Sequence, residues 1–350
     1  MRGPQVVQNI QTVKLSIIDQ SPVSEGSTPA DALHNTIELA QLADRLGYER
    51  YWIAEHHGMA TLASPAPEIL IARVAGATSH IRVGSGGVML PHYSPMKVAE
   101  TFRMLHALSP DRIDLGVGRA PGGTGLETFA LMRDRKRHEV SEDFPQQMAE
   151  LLAFLNHGFP NDHPFSRIKI TPSMPGGPEV WLLGSSMWSA AAAAQFGLPY
   201  AFAHFIDQHP TRSAIEHYRS HFAPSDYLKA PYAIVALGAI CADTNEEAQR
   251  LAASSRVLIR HIRRGDPRLV PTPEDALQEL AAMPDTEPPM STEFPRYHVG
   301  APEELRDKLV DMASQLHVEE LMIVTIVHDH RARMRSYELL AKAFDLKPRT

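Results

Sequence analysis

The chain holds a single cysteine, Cys241, in 350 residues. One thiol excludes an internal disulfide and a cysteine-rich metal site, and it fits a reducing compartment. No apolar run approaches the roughly 20 residues that span a bilayer. Residues 1–13 lack the charged-then-apolar pattern of a secretory signal and read as a leader without fixed structure. A cytoplasmic location is the expectation. Positive charge is scarce as well: 34 Lys and Arg stand against 41 Asp and Glu, for a net charge of −7 and an isoelectric point near 6.2. With no basic tail, neither nucleic acid nor an anionic membrane is expected as a partner. Also missing is a Gly-x-Gly-x-x-Gly run after the first strand, which counts against a dinucleotide fold.

What is present is alternation. Strands are expected at Leu15–Asp19, 50–57, 81–91, 113–119, 180–184, 200–205, 232–242 and 319–327. Helices fall between them. The first begins at Thr28-Pro29-Ala30-Asp31, a cap followed by proline and an acid, and Gly47 stops it. Most strands are short and continuously apolar, as parallel strands covered on both faces should be. Eight βα units predict an α/β fold, a (β/α)8 TIM-type barrel with insertions, spanning residues 14–350 as one domain. The insertions are 158–179, rich in Pro, Gly and His, and 264–299, rich in Pro and acids, with a short helical piece near 273–282.

In such a barrel the site lies at the C-terminal ends of the strands. The residues expected there are Asp19, Glu55-His56-His57, Gly86-Gly87 with Leu90-Pro91-His92, Arg119, Ser185-Ser186, His204 and His328. Strand physics does not ask for Glu-His-His after Tyr51-Trp52-Ile53. One imidazole could exchange protons at the site; a metal would need further ligands, and the cluster has no HxH or HExxH spacing; packing of the rim is the third reading. Gly84-Ser85-Gly86-Gly87 fits either a β-bulge or close approach of a flat ligand. Arg119 fits an anion held by its planar fork, or a salt bridge to Glu55 or Asp114. Gly184-Ser185-Ser186 and Ser189 open a helix, where they cap free N–H groups or cradle an anion. Arg119 and these serines together favour a phosphate.

Taken in order, these motifs resemble the bacterial luciferase-like flavin-dependent monooxygenases. The matching stretches are Trp52–His57, Val83–Pro91, Leu115–Arg119, Gly184-Ser185-Ser186 with Ala194–Pro199, and Val299–Glu304. The resemblance implies FMN, in reduced form a cosubstrate, on the C-terminal face. It places a non-proline cis peptide at Gly86-Gly87, with Ser85 alongside. It puts Arg119, Gly184, Ser185, Ser186 and Ser189 around the phosphate, and His56 with its neighbour His57 at the oxygen chemistry. That chemistry would run from reduced FMN and O2 through a C4a-(hydro)peroxyflavin on a small organic substrate. A separate NAD(P)H:flavin reductase as electron source and a homodimer through the early helices are further implications. The alternatives are F420-dependent hydride transfer, a flavin-binding protein without turnover, and a metal-dependent barrel hydrolase. Residues 121–140 and 264–299 are expected to line or cover the pocket.

Overall fold

Several strands begin within a few residues of a helix's end, as the strand at Arg50 follows the helix that ends at Leu46 and the strand at Tyr200 follows the helix that ends at Phe196. In the computed structural model, which describes residues 13–123, 125–132, 143–282 and 293–349, the first helix shows how. Thr28 accepts from the Asp31 N–H while Asp31 reaches back to Thr28, Pro29 fills the first turn, and Gly47 ends the helix at φ 89°. The chain is then aimed at the next strand.

The strands are β1 (Lys14–Asp19), β2 (Arg50–Ile53), β3 (Arg82–Met89), β4 (Ile113–Gly118), β5 (Glu179–Gly184), β6 (Tyr200–Ala203), β7 (Ala233–Cys241), β8 (Tyr297–Gly300) and β9 (Glu320–Val324). The helices among the described residues are α1 (Pro29–Leu46), α2 (Pro67–Ala77), α3 (Pro95–Leu108), α4 (Gly125–Leu131), α5 (Phe144–Asn156), α6 (Met187–Phe196), α7 (Thr211–Ser220), α8 (Asn245–Arg263), α9 (Pro273–Ala282), α10 (Pro302–Leu316) and α11 (His330–Ala343). All strand pairs are parallel. β1 pairs with β2 and β9, and β6 pairs with β7, so eight strands close in the order β1-β2-β3-β4-β5-β6-β7-β9. This is the expected (β/α)8 barrel.

Several strand expectations need correction; the sixth strand ends at Ala203 rather than 205, and the last at Val324 rather than 327. The second strand ends at Ile53, so Glu55-His56-His57 lie in the loop beyond it. The third stops at Met89 and passes into a tight turn over Leu90–His92. A ninth strand, β8, sits inside the stretch read as an insertion; it pairs with the far half of β7, Gly238–Cys241, outside the barrel ring. The strand expected at 319–327 is β9. Residues 1–12, 133–142 and 283–292, which fall in the expected leader, pocket cover and second insertion, lie outside the described residues.

Alternation along each strand makes two cores. Leu15 and Ile17 of β1 face the helices and join the large outer core with Leu39 and Ala43. Ile18, Trp52, Trp181, Ile234, Met322 and Val324 face inward and fill the barrel axis. At the strand starts the inner core gives way to a buried charge network. Asp114 accepts from Arg50 Nη1 at 2.9 Å, Arg82 Nε at 2.9 Å and Trp52 Nε1 at 2.8 Å. Glu320 accepts from Arg50 Nε at 3.1 Å, Ser16 Oγ at 2.5 Å and Tyr232 Oη at 2.6 Å. Arg50 also lies over the Trp181 ring, 4.6 Å from its centroid.

β3 and β4 approach so closely that side chains are excluded. A Cβ on Gly116 would stand 2.1 Å from the Ser85 carbonyl oxygen. That neighbour is backbone, so the strands would have to part. Gly116→Ala is expected to destabilise by at least about 1–3 kcal/mol, the range for overpacking. Gly118→Ala, whose Cβ would meet only Met89 Sδ at 3.7 Å and Val88 O at 4.0 Å, serves as the control. Urea midpoints of the two variants check the contrast.

Candidate active site

At the C-terminal ends of the strands the inner core stops short and leaves a cavity of about 370 Å3. Its floor is Ile18 of β1 and Trp52 of β2, and Gly86, Gly87 and Met89 of β3 form one wall. The Gly86-Gly87 peptide is cis, as the resemblance implied. Register between β3 and β4 slips between Ser85 and Val88, so the bulge reading of these glycines also holds. A Cβ on Gly86 would press on Ile18 Cδ1 at 3.0 Å and Trp52 Cβ at 3.1 Å, and one on Gly87 would meet Gly116 O at 2.8 Å. Ser85 does not line the cavity. It is fully buried and its hydroxyl donates to Gly116 O at 2.8 Å.

Polar groups come to the cavity from one sector, the ends of the adjacent strands β4 and β5. Arg119 is exposed at the mouth, and its guanidinium lies 4.1 Å from the centroid of the Trp188 ring. It forms no salt bridge to Glu55 or Asp114, both of which are occupied elsewhere. Gly184, Ser185, Ser186 and Ser189 line the same sector. Here capping and cradling divide. Ser186 is the N-cap of α6 and forms a reciprocal capping box with Ser189. Ser189 is buried, its hydroxyl bonded to Ser186 O at 2.7 Å and Tyr200 Oη at 2.9 Å. Gly184 is glycine because a Cβ would meet Ser189 Oγ at 2.5 Å. Ser189 therefore shapes the helix start, while Ser185 and Ser186 stand nearer solvent.

Glu55-His56-His57 sits behind the glycine wall, and neither histidine is among the cavity-lining residues. Glu55 is 1% exposed and accepts from Met89 N at 3.0 Å and from Tyr93 Oη at 2.7 Å. Its Oε1 is also 2.7 Å from His57 Nε2. One carboxylate thus fixes the end of β3, where Met89 enters the cavity. Burial, with Glu55 beside it, drives the Tyr93 hydroxyl well above the ordinary phenol range. His56 differs. Its Nδ1 is buried with no hydrogen-bond partner among the described residues. Burial pushes its ring down to about 4, against the opposing pull of Glu55, so it is neutral at pH 7.

The remaining rim residues serve the scaffold. Asp19 points outward to Arg333 Nη2 at 2.7 Å and to the Tyr51 hydroxyl; burial would raise its carboxyl, but the arginine and hydrogen bonds outweigh it and hold it low. His92 Nε2 is bonded to Pro121 O at 2.8 Å, His204 to Thr211 Oγ1 at 2.7 Å and Pro295 O at 3.0 Å, and His328 Nε2 to Glu25 O at 3.0 Å. Among the described residues no three His, Cys, Asp or Glu are grouped to hold a metal. The apolar lining from β6, β7 and β9, and from Phe205 and Ile206 just beyond β6, carries no sequence signal beyond ordinary hydrophobicity.

An apolar cleft with one polar sector, at the C-terminal face of a closed parallel barrel, is the place where barrel enzymes carry their sites. Residues 13–319 match the family model of the luciferase-like monooxygenases, and the chain is an enzyme belonging to that family. It is 38% identical to a luciferase-like monooxygenase of Escherichia coli (strain K12) over 96% of this chain and 98% of that one. It is 36% identical to N-acetyl-S-alkylcysteine monooxygenase of Bacillus subtilis (strain 168) over 95% and 98%. The crystal structure of apo-MsnO8 superposes with a TM-score of 0.90 at 50% identity, over 96% of this chain and all of that one. More distant relatives include the oxygenase component of a flavin-dependent trigonelline monooxygenase of Acinetobacter baylyi, 25% identical over 68% of each chain. The fold alone is shared with two others. One is an FMN complex of the oxygenating constituent of 3,6-diketocamphane monooxygenase of Pseudomonas putida (TM-score 0.70, 19% identity). The other is an F420-dependent secondary alcohol dehydrogenase (TM-score 0.66, 14%).

Proposed function

We propose that this enzyme is the oxygenating component of a two-component monooxygenase. It would take up reduced FMN made by a separate NAD(P)H:flavin reductase and use O2 to oxygenate a small organic substrate. The observation that carries this reading is the pairing, in one cavity, of the flat Gly86-Gly87 wall with Arg119 beside the start of α6. Arg119 has no carboxylate partner among the described residues, and the first N–H groups of α6 favour an anion. These groups suit a phosphate, and the apolar floor of Ile18 and Trp52 suits a planar ring. Bound reduced flavin supplies the two electrons with which one oxygen atom goes to substrate and the other to water. The chain's own part would be to anchor the phosphate through Arg119, Ser185 and Ser186, to exclude water with the apolar lining, and to move a proton from His56, which stands behind the glycine wall, into the cavity by way of a bridging water. His57 and Glu55 hold the loop that carries His56. Large apolar side chains left exposed on α2 and α3, Ile69, Met104 and Leu108, support a homodimer through these helices. No helix of the described residues is long and apolar enough to cross a membrane.

The test is a titration of the purified enzyme with FMN, reduced FMN and F420, followed by O2 uptake. FMN affinity and reduced-FMN-dependent O2 consumption are expected. Arg119→Ala should weaken FMN about 10–100-fold, the worth of a charge-assisted hydrogen bond. Equal affinity of the variant would remove Arg119 from the phosphate site, and binding of F420 with none of FMN would replace the reading by hydride transfer.

A further inference from the structure

The cavity has a second half that the cofactor reading does not use. Barrel interiors are filled mainly by bulky branched side chains. On the β6–β7 side of this cavity the inward positions are instead Ala201, Ala203 and Ala236. These short side chains leave a trough where β6 and β7 pair, Ala203 against Ala236. Its base is Met322 of β9, and Phe205 and Ile206 stand at its outer end. Phe205 is fixed by its N–H to Ala236 O at 3.1 Å, so the trough and its outer wall are tied to one strand. Ile206 is 57% exposed, an apolar side chain held at the mouth.

No charged side chain among the described residues lines the cavity on this side; its one charged lining residue, Arg119, is in the β4–β5 sector. A charge buried without a partner is strongly disfavoured, whereas each buried methylene is favourable. We infer that the alanine trough is the substrate seat, that it takes an uncharged, predominantly apolar molecule, and that Ala203 and Ala236 set the size accepted. This rests on the FMN reading for the opposite half of the cavity. It adds the substrate class, and it separates the two ligands by strand: phosphate on β4 and β5, substrate body on β6 and β7.

The probes are straight-chain methyl ketones of increasing length and the carboxylates of matching length. Binding is measured by calorimetry to the full-length enzyme, with and without FMN. Ketone affinity should rise about fourfold per methylene until the trough is full. The carboxylates should bind at least about tenfold more weakly at every length. Ala236→Leu should make ketone affinity level off at a shorter chain while FMN affinity stays unchanged. Ala203→Val, a smaller addition on the paired strand, gives the same readout if the leucine variant does not fold. Carboxylates binding as tightly as ketones would overturn the proposal. So would a flat length dependence, or variants that lose FMN and leave the ketone series untouched. Ketone binding with length dependence in a protein that does not bind FMN would leave the trough standing and overturn the cofactor reading alone.

Discussion

Replacing His56 by alanine should lower reduced-FMN-dependent oxygenation about 10²–10⁴-fold, the usual worth of a positioned acid–base group. FMN affinity should be untouched, because the phosphate and ring contacts are assigned to other residues; His56 stands behind the Gly86-Gly87 wall, outside the cavity lining, so its proton would pass to the cavity through one bridging water. The pH dependence distinguishes a proton-transfer role from a structural one. Burial holds the folded imidazole at about 4, below its ordinary 6.5. The ring is therefore neutral, and able to accept a proton, down to about pH 4. The acid limb of kcat/KM should fall there rather than near 6.5, and the His56→Ala variant should lose that limb. The same shift has a sign in stability. Between these values the unfolded chain binds the proton and the folded chain does not. The contribution from His56 is thus full above 6.5 and lost as pH falls toward 4. Stopped-flow oxidation of reduced FMN with substrate, run across this range, decides the matter. Unchanged turnover in the variant would remove His56 from the reaction.

Asp114→Ala should produce the largest loss of stability, about 3–5 kcal/mol, the cost of breaking a buried ion pair by removing one partner. Asp114 is fully buried and accepts from two arginines and an indole. Without it Arg82 keeps Glu179 as its carboxylate partner beside the Asp111 and Ile113 carbonyls, Arg50 leans on Glu320 and Glu179, and the Trp52 N–H loses its acceptor. Trp52 is also the cavity floor, so the loss reaches the site. Guanidinium denaturation followed by tryptophan fluorescence measures both. A change below about 1 kcal/mol, the scale of a surface pair, would show that the network is not held as described.

Much of this is legible in the sequence itself. Period and punctuation found the eight barrel strands because continuous apolar runs and helix caps are local signals, and Thr28-Pro29 with Gly47 bounded α1 from sequence alone. β8 was not legible. Tyr297–Gly300 is four residues, partly exposed, inside a proline-rich stretch, and only its pairing with β7 makes it a strand. The second strand was read too long because Glu55-His56-His57 follows its apolar run without a breaker. Within the site, residue type located Arg119 and the Ser185–Ser189 turn but could not say which hydroxyls were already spent. Ser85 and Ser189 each have partners supplied by another strand. The charge network was invisible for the same reason. Arg50, Asp114 and Glu320 each sit among other charges near the start of a strand, and nothing local announces which of them turn inward and meet.

That network also sets a schedule for synthesis. Arg50 and its acceptor Glu320 are 270 positions apart, and β1 finds one of its two neighbours only in β9. At about 5–20 residues per second, a ribosome needs roughly 15–50 s to travel between them. Over that interval β1 offers an open parallel edge, and Arg50 waits with part of its counter-charge still untranslated. Closure is then a single late event that satisfies edge and charge together. A nascent chain stalled before residue 320 would expose the edge that invites pairing with a neighbour, and it is the natural client of a chaperone rather than a partly working enzyme.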